Sequence, residues 1–372
     1  MTEAIRAITM PKWGLAMEEG MVVAWHVAEG GTISAGDELV DIETTKITNA
    51  FESPLSGTLR RRVVGEGTTV PVGALLAVAA DASVPEGEID AFIDRFSADF
   101  AVSGAEAEAA GPRPETVEAN GRRINYLAAG DDDATPLVLV HGFGGDLNTW
   151  MFNQPFLAES RRVVAIDLPG HGSSSKDVGN GDVAFFKETV RLFLDALGID
   201  RTHLVGHSLG GAIVLEVALQ QPERTASLTL IASAGLGSEI NDGYIQGFIR
   251  ANRRKDMKDV LRDLYADPDQ ISRDLVNEVL KYKRLDGVEG ALRTIAGAVF
   301  TGGRQAMVMA DRVAGLAMPA QVIWGREDKI VPPSHAEGLP GNVPVYVIDN
   351  AGHMVHMEAA GEVNRLIAEH AA

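Results

Sequence analysis

Hydrophobic positions recur with different periods along the chain. Over residues 1–80, short runs rich in Val and Ile (MVVAWHV, DELVDI, TLRRRVV, EGTTV) alternate with Gly-containing turns, and no window keeps a helical period. This predicts a small all-β domain. A repeat runs through it: residues 27–36 (VAEGGTISAG) align with residues 64–73 (VGEGTTVPVG) at an offset of 37. Two copies of a strand–turn–strand unit imply a barrel or sandwich with pseudo-two-fold symmetry.

Residues 81–115 carry nine acidic side chains against two basic ones, with a stretch of Ala, Gly, Glu and Pro that has little to bury. That composition predicts an acidic, extended, flexible linker, interrupted by one brief amphipathic helix over residues 89–96.

From about residue 116 to the end at residue 372, apolar strand-like runs alternate with helical stretches. The runs lie at 136–140, 162–166, 203–205, 227–231, 320–324 and 343–348. Strands separated by helices predict a mostly parallel sheet with helices on both faces. Between about 236 and 312 the strand pattern disappears and charged helical sequence replaces it, as a helical cap inserted over the sheet would require.

Composition narrows the classes. A length of 372 residues with 45% hydrophobic content allows two or three domains and a sizeable core. The net charge of −19 argues against nucleic acid and anionic membrane surfaces as partners. The chain has no cysteine, which removes disulfides, thiolate metal sites and a cysteine nucleophile. No apolar stretch reaches the length of a membrane span, and the N-terminus carries no apolar run of signal-peptide length, so the cytoplasm is the default compartment.

The candidate chemistry is concentrated in a few motifs. GHSLGG at 206–211 follows a strand and precedes a good helix, the context a nucleophile elbow needs. Ser208 there sits on a sharp turn that only small neighbours allow, at a helix N-terminus that favours developing negative charge. HGFGG at 141–145 follows the preceding strand, where an oxyanion loop belongs, and the N–H groups of Phe143 and Leu209 are the candidate donors. Among nine histidines, His353 in NAGHM lies past the last strand, in the order serine, acid, histidine. His356, His207 and His171 read as supporting or loop residues. Asp328 in WGREDKIVP follows a strand and precedes a turn, so it is the candidate orienting acid. Glu327 is offset by one residue, and Asp167 comes before the serine.

HGFGG, DLPGHGSS, GHSLGG, WGREDKIVP and AGHMVHME resemble the α/β-hydrolase superfamily over about residues 120–370. Residues 4–80 resemble a lipoyl domain of the biotinyl/lipoyl type, with MPKWG, EEG and DIETTKITNAFESPLSG as matching segments. That resemblance implies covalent lipoate on Lys46. Thr45 and Ile47 flank the lysine, where biotinyl domains carry methionines.

A short flexible tether would hold the carrier near a catalytic domain at about millimolar effective concentration, and this domain order resembles the acyltransferases of 2-oxo-acid dehydrogenase complexes. Their H-x-x-x-D-G motif is absent here. A lipoyl domain joined to an α/β-hydrolase domain instead resembles the acetyltransferase components of acetoin dehydrogenase systems. The resemblance implies acetyl transfer from the lipoyl arm to coenzyme A. It also implies a thiamine-diphosphate-dependent dehydrogenase and a dihydrolipoamide dehydrogenase as partners. Two alternatives remain open from the residues: a serine hydrolase using water, and a non-catalytic scaffold presenting lipoate.

Residues 248–262 hold six basic side chains (Arg250, Arg253, Arg254, Lys255, Lys258 and Arg262) against two acidic ones, in an otherwise acidic protein. On one helix, Arg250, Arg254 and Lys258 would share a face at four-residue spacing. Such a face would suit the phosphates of coenzyme A, or it is a solvated surface.

Overall fold

The computed structural model describes the chain except for residues 1–4, 12, 14–16, 18, 45–47, 108–111 and 132. It divides into two compact units, one mainly from Met1–Gly111 and the other from Pro112–Asp269 and Val276–Ala372.

The first unit holds eight strands: β1 (Ile5–Thr9), β2 (Glu19–Trp25), β3 (Thr32–Ile33), β4 (Glu38–Glu43), β5 (Thr48–Glu52), β6 (Gly57–Arg62), β7 (Thr69–Pro71) and β8 (Leu75–Ala80). They form two four-stranded sheets, ordered β1-β8-β6-β3 and β5-β4-β2-β7. The 37-residue sequence offset carries β2 onto β6, β3 onto β7 and β4 onto β8, and each occupies the equivalent place in the opposite sheet. The repeat is therefore a strand exchange: β3 of the first copy pairs with β6 of the second, and β7 of the second with β2 of the first. Inward positions alternate with outward ones, and Ile8, Val22, Leu39, Ile42, Leu59 and Leu76 fill the space between the sheets.

A helix, α1 (Glu86–Ala107), follows. This corrects the extended linker expected over 81–115. Two features outweigh the charge repulsion. Ile89, Phe92, Ile93 and Phe96 fall at helical spacing, and together they pack with Leu75, Val78 and Val84. Two of the acidic residues are matched: Glu86 pairs with Arg60 at 2.5 Å and with Arg61 at 2.7 Å, and Asp90 pairs with Arg61 at 3.0 Å.

The second unit is built on an eight-stranded sheet. Its strands are β9 (Glu115–Ala119), β10 (Arg122–Ala129), β11 (Leu137–Val140), β12 (Val163–Ile166), β13 (Thr202–His207) and β14 (Thr225–Ile231), followed, after a short ribbon of β15 (Phe300–Thr301) and β16 (Arg304–Gln305), by β17 (Ala320–Gly325) and β18 (Val345–Ile348). The order is β18-β17-β14-β13-β11-β12-β10-β9. From β12 to β18 the pairing is parallel, while β9 and β10 add an antiparallel edge that the apolar pattern had not singled out.

The helices α2 (Gln154–Leu157), α3 (Val183–Ala196), α4 (Leu209–Gln220), α9 (Val355–Glu358) and α10 (Ala360–His370) accompany the sheet. Between β14 and β17, α5 (Asp242–Arg250), α6 (Arg254–Leu261), α7 (Arg273–Lys283) and α8 (Val288–Val299) occupy the stretch expected as a cap. The basic run expected on one helix is divided. Ala251 adopts an extended conformation (ψ 118°) and ends α5, so Arg250 and Arg254 lie on different helices. Among the described residues, no helix is long and apolar enough to cross a membrane.

Candidate active site

β13 runs through Leu204 and Val205 into the elbow, and α4 begins immediately after Ser208. Ser208 has φ +54° and ψ −118°, a conformation non-glycine residues rarely adopt. It is held by backbone bonds: Ser208 N–H donates to Ile231 O at 2.9 Å, and Ser208 O accepts from Ala234 N–H at 3.0 Å. The turn is too tight for a side chain at Gly210, where a Cβ would stand 2.2 Å from Val140 O. The HGFGG loop approaches just as closely, since a Cβ on Gly142 would stand 2.8 Å from Ser208 Cβ. The loop expected to hold an oxyanion is therefore packed against the nucleophile elbow.

Two buried histidines fix that loop. His141 Nε2 accepts from Leu168 N–H at 3.0 Å, and its Nδ1 lies 2.7 Å from Gly142 O. His171 Nε2 accepts from Gly144 N–H at 3.1 Å, with Nδ1 at 3.1 Å from Pro169 O. Burial lowers the basicity of both rings, so each is neutral and serves as a donor at Nδ1 and an acceptor at Nε2. Asp167 ties the DLPGHG segment down, accepting from Leu147 N–H at 2.7 Å and Ser173 N–H at 2.8 Å. It is a loop anchor, in keeping with its position before the serine.

Asp328 and His353 meet. His353 Nδ1 lies 2.8 Å from Asp328 Oδ2, with both side chains almost entirely buried. The carboxylate is fully engaged. Oδ2 also accepts from Trp324 Nε1 at 3.0 Å, and Oδ1 accepts from Ile330 N–H at 2.8 Å and Val331 N–H at 3.0 Å. Glu327 faces elsewhere and accepts from Ala351 N–H at 3.1 Å. With Nδ1–H donated to Asp328, His353 presents Nε2 as the basic nitrogen. Its ring packs 4.7 Å from His207, the residue before Ser208, and His207 Nε2 lies 2.9 Å from His353 O. Burial holds His207 and His356 neutral, with His356 lowered to about 3 and the charge of His353 adding to the effect.

Phe143 and Leu209, the proposed oxyanion donors, follow Gly142 and Ser208 directly in the chain, and Leu209 is the first residue of α4, whose N–H has no partner within the helix. In the first unit, Glu43 pairs with Thr48, so β4 and β5 form a hairpin whose connection includes Lys46. Lys46 itself lies outside the described residues. A lysine between paired hairpin strands suits an amide-linked carrier arm.

Two features were not legible in the motifs. Glu358, five residues past His353, accepts from Gly352 N–H at 2.8 Å and from Ala266 N–H at 2.7 Å. Lys283 inserts its ammonium group among backbone oxygens at the end of α5: Phe248 O, Ile249 O at 3.1 Å and Ala251 O at 2.5 Å. Phe248 in turn packs edge-on against Phe143, with ring centres 6.0 Å apart.

Comparison with known proteins covers both units. Residues 135–360 match the α/β hydrolase fold family, and residues 6–78 match the biotin-requiring enzyme family that includes lipoyl domains. A dihydrolipoyllysine-residue acetyltransferase component of the acetoin cleaving system from Pseudomonas putida is 50% identical over 97% of each chain. Its counterpart from Cupriavidus necator is 41% identical over 100% of this chain and 98% of its own. Among solved structures, a meta-cleavage product hydrolase from Pseudomonas fluorescens IP01 covers 68% of this chain and 96% of its own, with a TM-score of 0.63 at 24% identity. That likeness shows the fold alone.

Proposed function

We propose that this chain, which belongs to the family of dihydrolipoyllysine-residue acetyltransferase components of acetoin cleaving systems, transfers its acetyl group through an acyl-enzyme on Ser208. It is an acyltransferase with covalent lipoate as its prosthetic group and coenzyme A as co-substrate. The observation that carries the mechanism is the buried His353–Asp328 pair beside a strained serine elbow.

Lipoate on Lys46 supplies the thiol that brings the acetyl group to the site. Ser208 Oγ attacks the thioester carbonyl while its proton passes to His353 Nε2. Phe143 N–H and Leu209 N–H receive the developing oxyanion. His353 Nε2 then returns the proton to the leaving sulfur as the carbon–sulfur bond breaks. The coenzyme A thiol then attacks the acetyl-serine ester, giving its proton to His353, and Ser208 recovers that proton as acetyl-CoA leaves. Asp328 holds His353 in the tautomer with Nε2 unprotonated and steadies the imidazolium.

As a component of a multi-enzyme acetoin system, the chain works with enzymes that load and reoxidise the lipoyl arm. A thiamine-diphosphate-dependent dehydrogenase and a dihydrolipoamide dehydrogenase fit those two reactions, and the cytoplasm, with its coenzyme A, fits the acceptor. Acetyl-dihydrolipoamide supplied with and without coenzyme A tests the reading. Acetyl-CoA as the main product supports transfer, whereas acetate released at the same rate in both cases identifies a hydrolase.

A further inference from the structure

The split of the basic run places part of it in a cleft that the sequence could not assemble. Arg254 opens α6, and the later part of α7 faces it. Between them, Arg254, Asn277, Glu278, Leu280, Lys281 and Arg284 line a recess of about 430 Å³. Three cations stand against one carboxylate, on a chain with a net charge of −19. The carboxylate does little to neutralise them. Glu278 lies 3.6 Å from Lys281, and both side chains are largely solvated, so the pair is weak. Arg254 is oriented by a bond from Nε to Asn277 Oδ1 at 3.0 Å, which leaves its other guanidinium donors for an oxyanion. Leu280 is buried and gives the recess an apolar wall. Lys258, counted with this cluster in the sequence, is not among the lining residues.

The cleft is coupled to the reacting centre through α7. Lys283 lies in the sequence between Lys281 and Arg284, yet its ammonium group is turned to the backbone oxygens at the end of α5. That end carries the helix's partial negative charge, so the lysine stabilises it. It also fixes Phe248, which packs on Phe143 and fills the space beside Gly144, where a Cβ would stand 2.6 Å from the Phe248 ring. One turn of α7 thus presents cations outward and braces the oxyanion loop inward.

We propose that the cleft between α6 and α7 binds the phosphates of the nucleotide end of coenzyme A, with Arg254, Lys281 and Arg284 as their ligands. Planar guanidinium groups match phosphate oxygens in pairs, and several phosphates on one ligand need several cations at once. The inference rests on the transferase reading, which supplies coenzyme A as the acceptor.

The test is the double variant Arg254→Gln with Arg284→Gln in the full chain, compared with wild type on coenzyme A and on pantetheine, which lacks the nucleotide. Charge-assisted bonds of this kind imply a rise of about tenfold or more in KM for coenzyme A. A similar loss of affinity for desulfo-coenzyme A should appear by calorimetry, with unchanged kcat and unchanged KM for pantetheine. Equal Tm and equal hydrolysis of a small acetyl ester establish that the variant is folded. An unaltered KM for coenzyme A, or an equal rise for pantetheine, overturns the site. Wild type that makes only acetate overturns the transferase reading instead, and desulfo-coenzyme A binding still decides the cleft.

Discussion

Glu358 accepts the Gly352 N–H at 2.8 Å, one residue before His353, and its other oxygen takes the Ala266 N–H at 2.7 Å. One carboxyl group thereby joins the loop that carries His353 to the segment between α6 and α7, within the cap. Gly352 is pressed against that segment, since a Cβ there would stand 2.8 Å from both Ala266 N and Leu264 O.

Burial, with the charge of Asp328 adding to it, raises Glu358 to about 7 from an ordinary value near 4.5, although its two N–H partners pull the other way. A carboxyl whose folded value is raised favours the fold fully below its unfolded value, and that contribution is lost as pH rises through about 7. Glu358→Gln removes this titration. Urea unfolding of both proteins at pH 5 and pH 8 should show wild type's advantage over the variant to be larger at pH 5. An advantage that does not change with pH removes the buried-acid account.

Replacing Ser208 or His353 with Ala should lower transfer to coenzyme A by at least about 10⁴-fold, with lipoylation intact because the carrier lysine is on a separate unit. The double variant should be little worse than either single one, since the residues act together. Asp328→Asn should cost about as much by releasing the His353 tautomer. Near-normal transfer in Ser208→Ala would mean that the coenzyme A thiol attacks the donor directly.

Intact mass of the chain from a lipoate-competent host should carry the lipoyl increment, and Lys46→Ala should lose it. The variant should still hydrolyse a small acetyl ester and still accept free acetyl-dihydrolipoamide. An unmodified Lys46 in a fully active complex would exclude the carrier role.

Gly210→Ala should damage both stability and rate. The added Cβ meets Val140 O at 2.2 Å, a backbone atom that cannot rotate away. Overpacking of this kind costs about 1–3 kcal/mol. The displaced turn should also lower kcat for any acetyl donor. Measured Tm and kcat that both match wild type would show that the elbow has room the geometry denies.

Much of this protein is encoded in short windows. The inner parallel strands β11, β12 and β17 appear as apolar runs because both of their faces are covered, so every position is buried. The elbow, the HGFGG loop and the 37-residue repeat appear because each carries glycines at fixed spacing within a few residues. Ser208, His353 and Asp328 could be named from such windows, for each lies just past the C-terminal end of a parallel strand.

Tertiary packing decided what those windows could not hold. The acidic stretch after β8 is a helix because Arg60 and Arg61, some 25 residues earlier, meet Glu86, and because β8 offers its apolar stripe a surface. Asp328, and not Glu327, faces His353 because Trp324 and two backbone N–H groups aim its carboxylate. The basic run became a cleft only when Arg254 met α7, and Glu358 acquired its role only through Ala266, 92 residues away. Periodicity and turn chemistry act over one or two turns of chain, whereas charge neutralisation and desolvation depend on whichever distant residues the fold brings into contact.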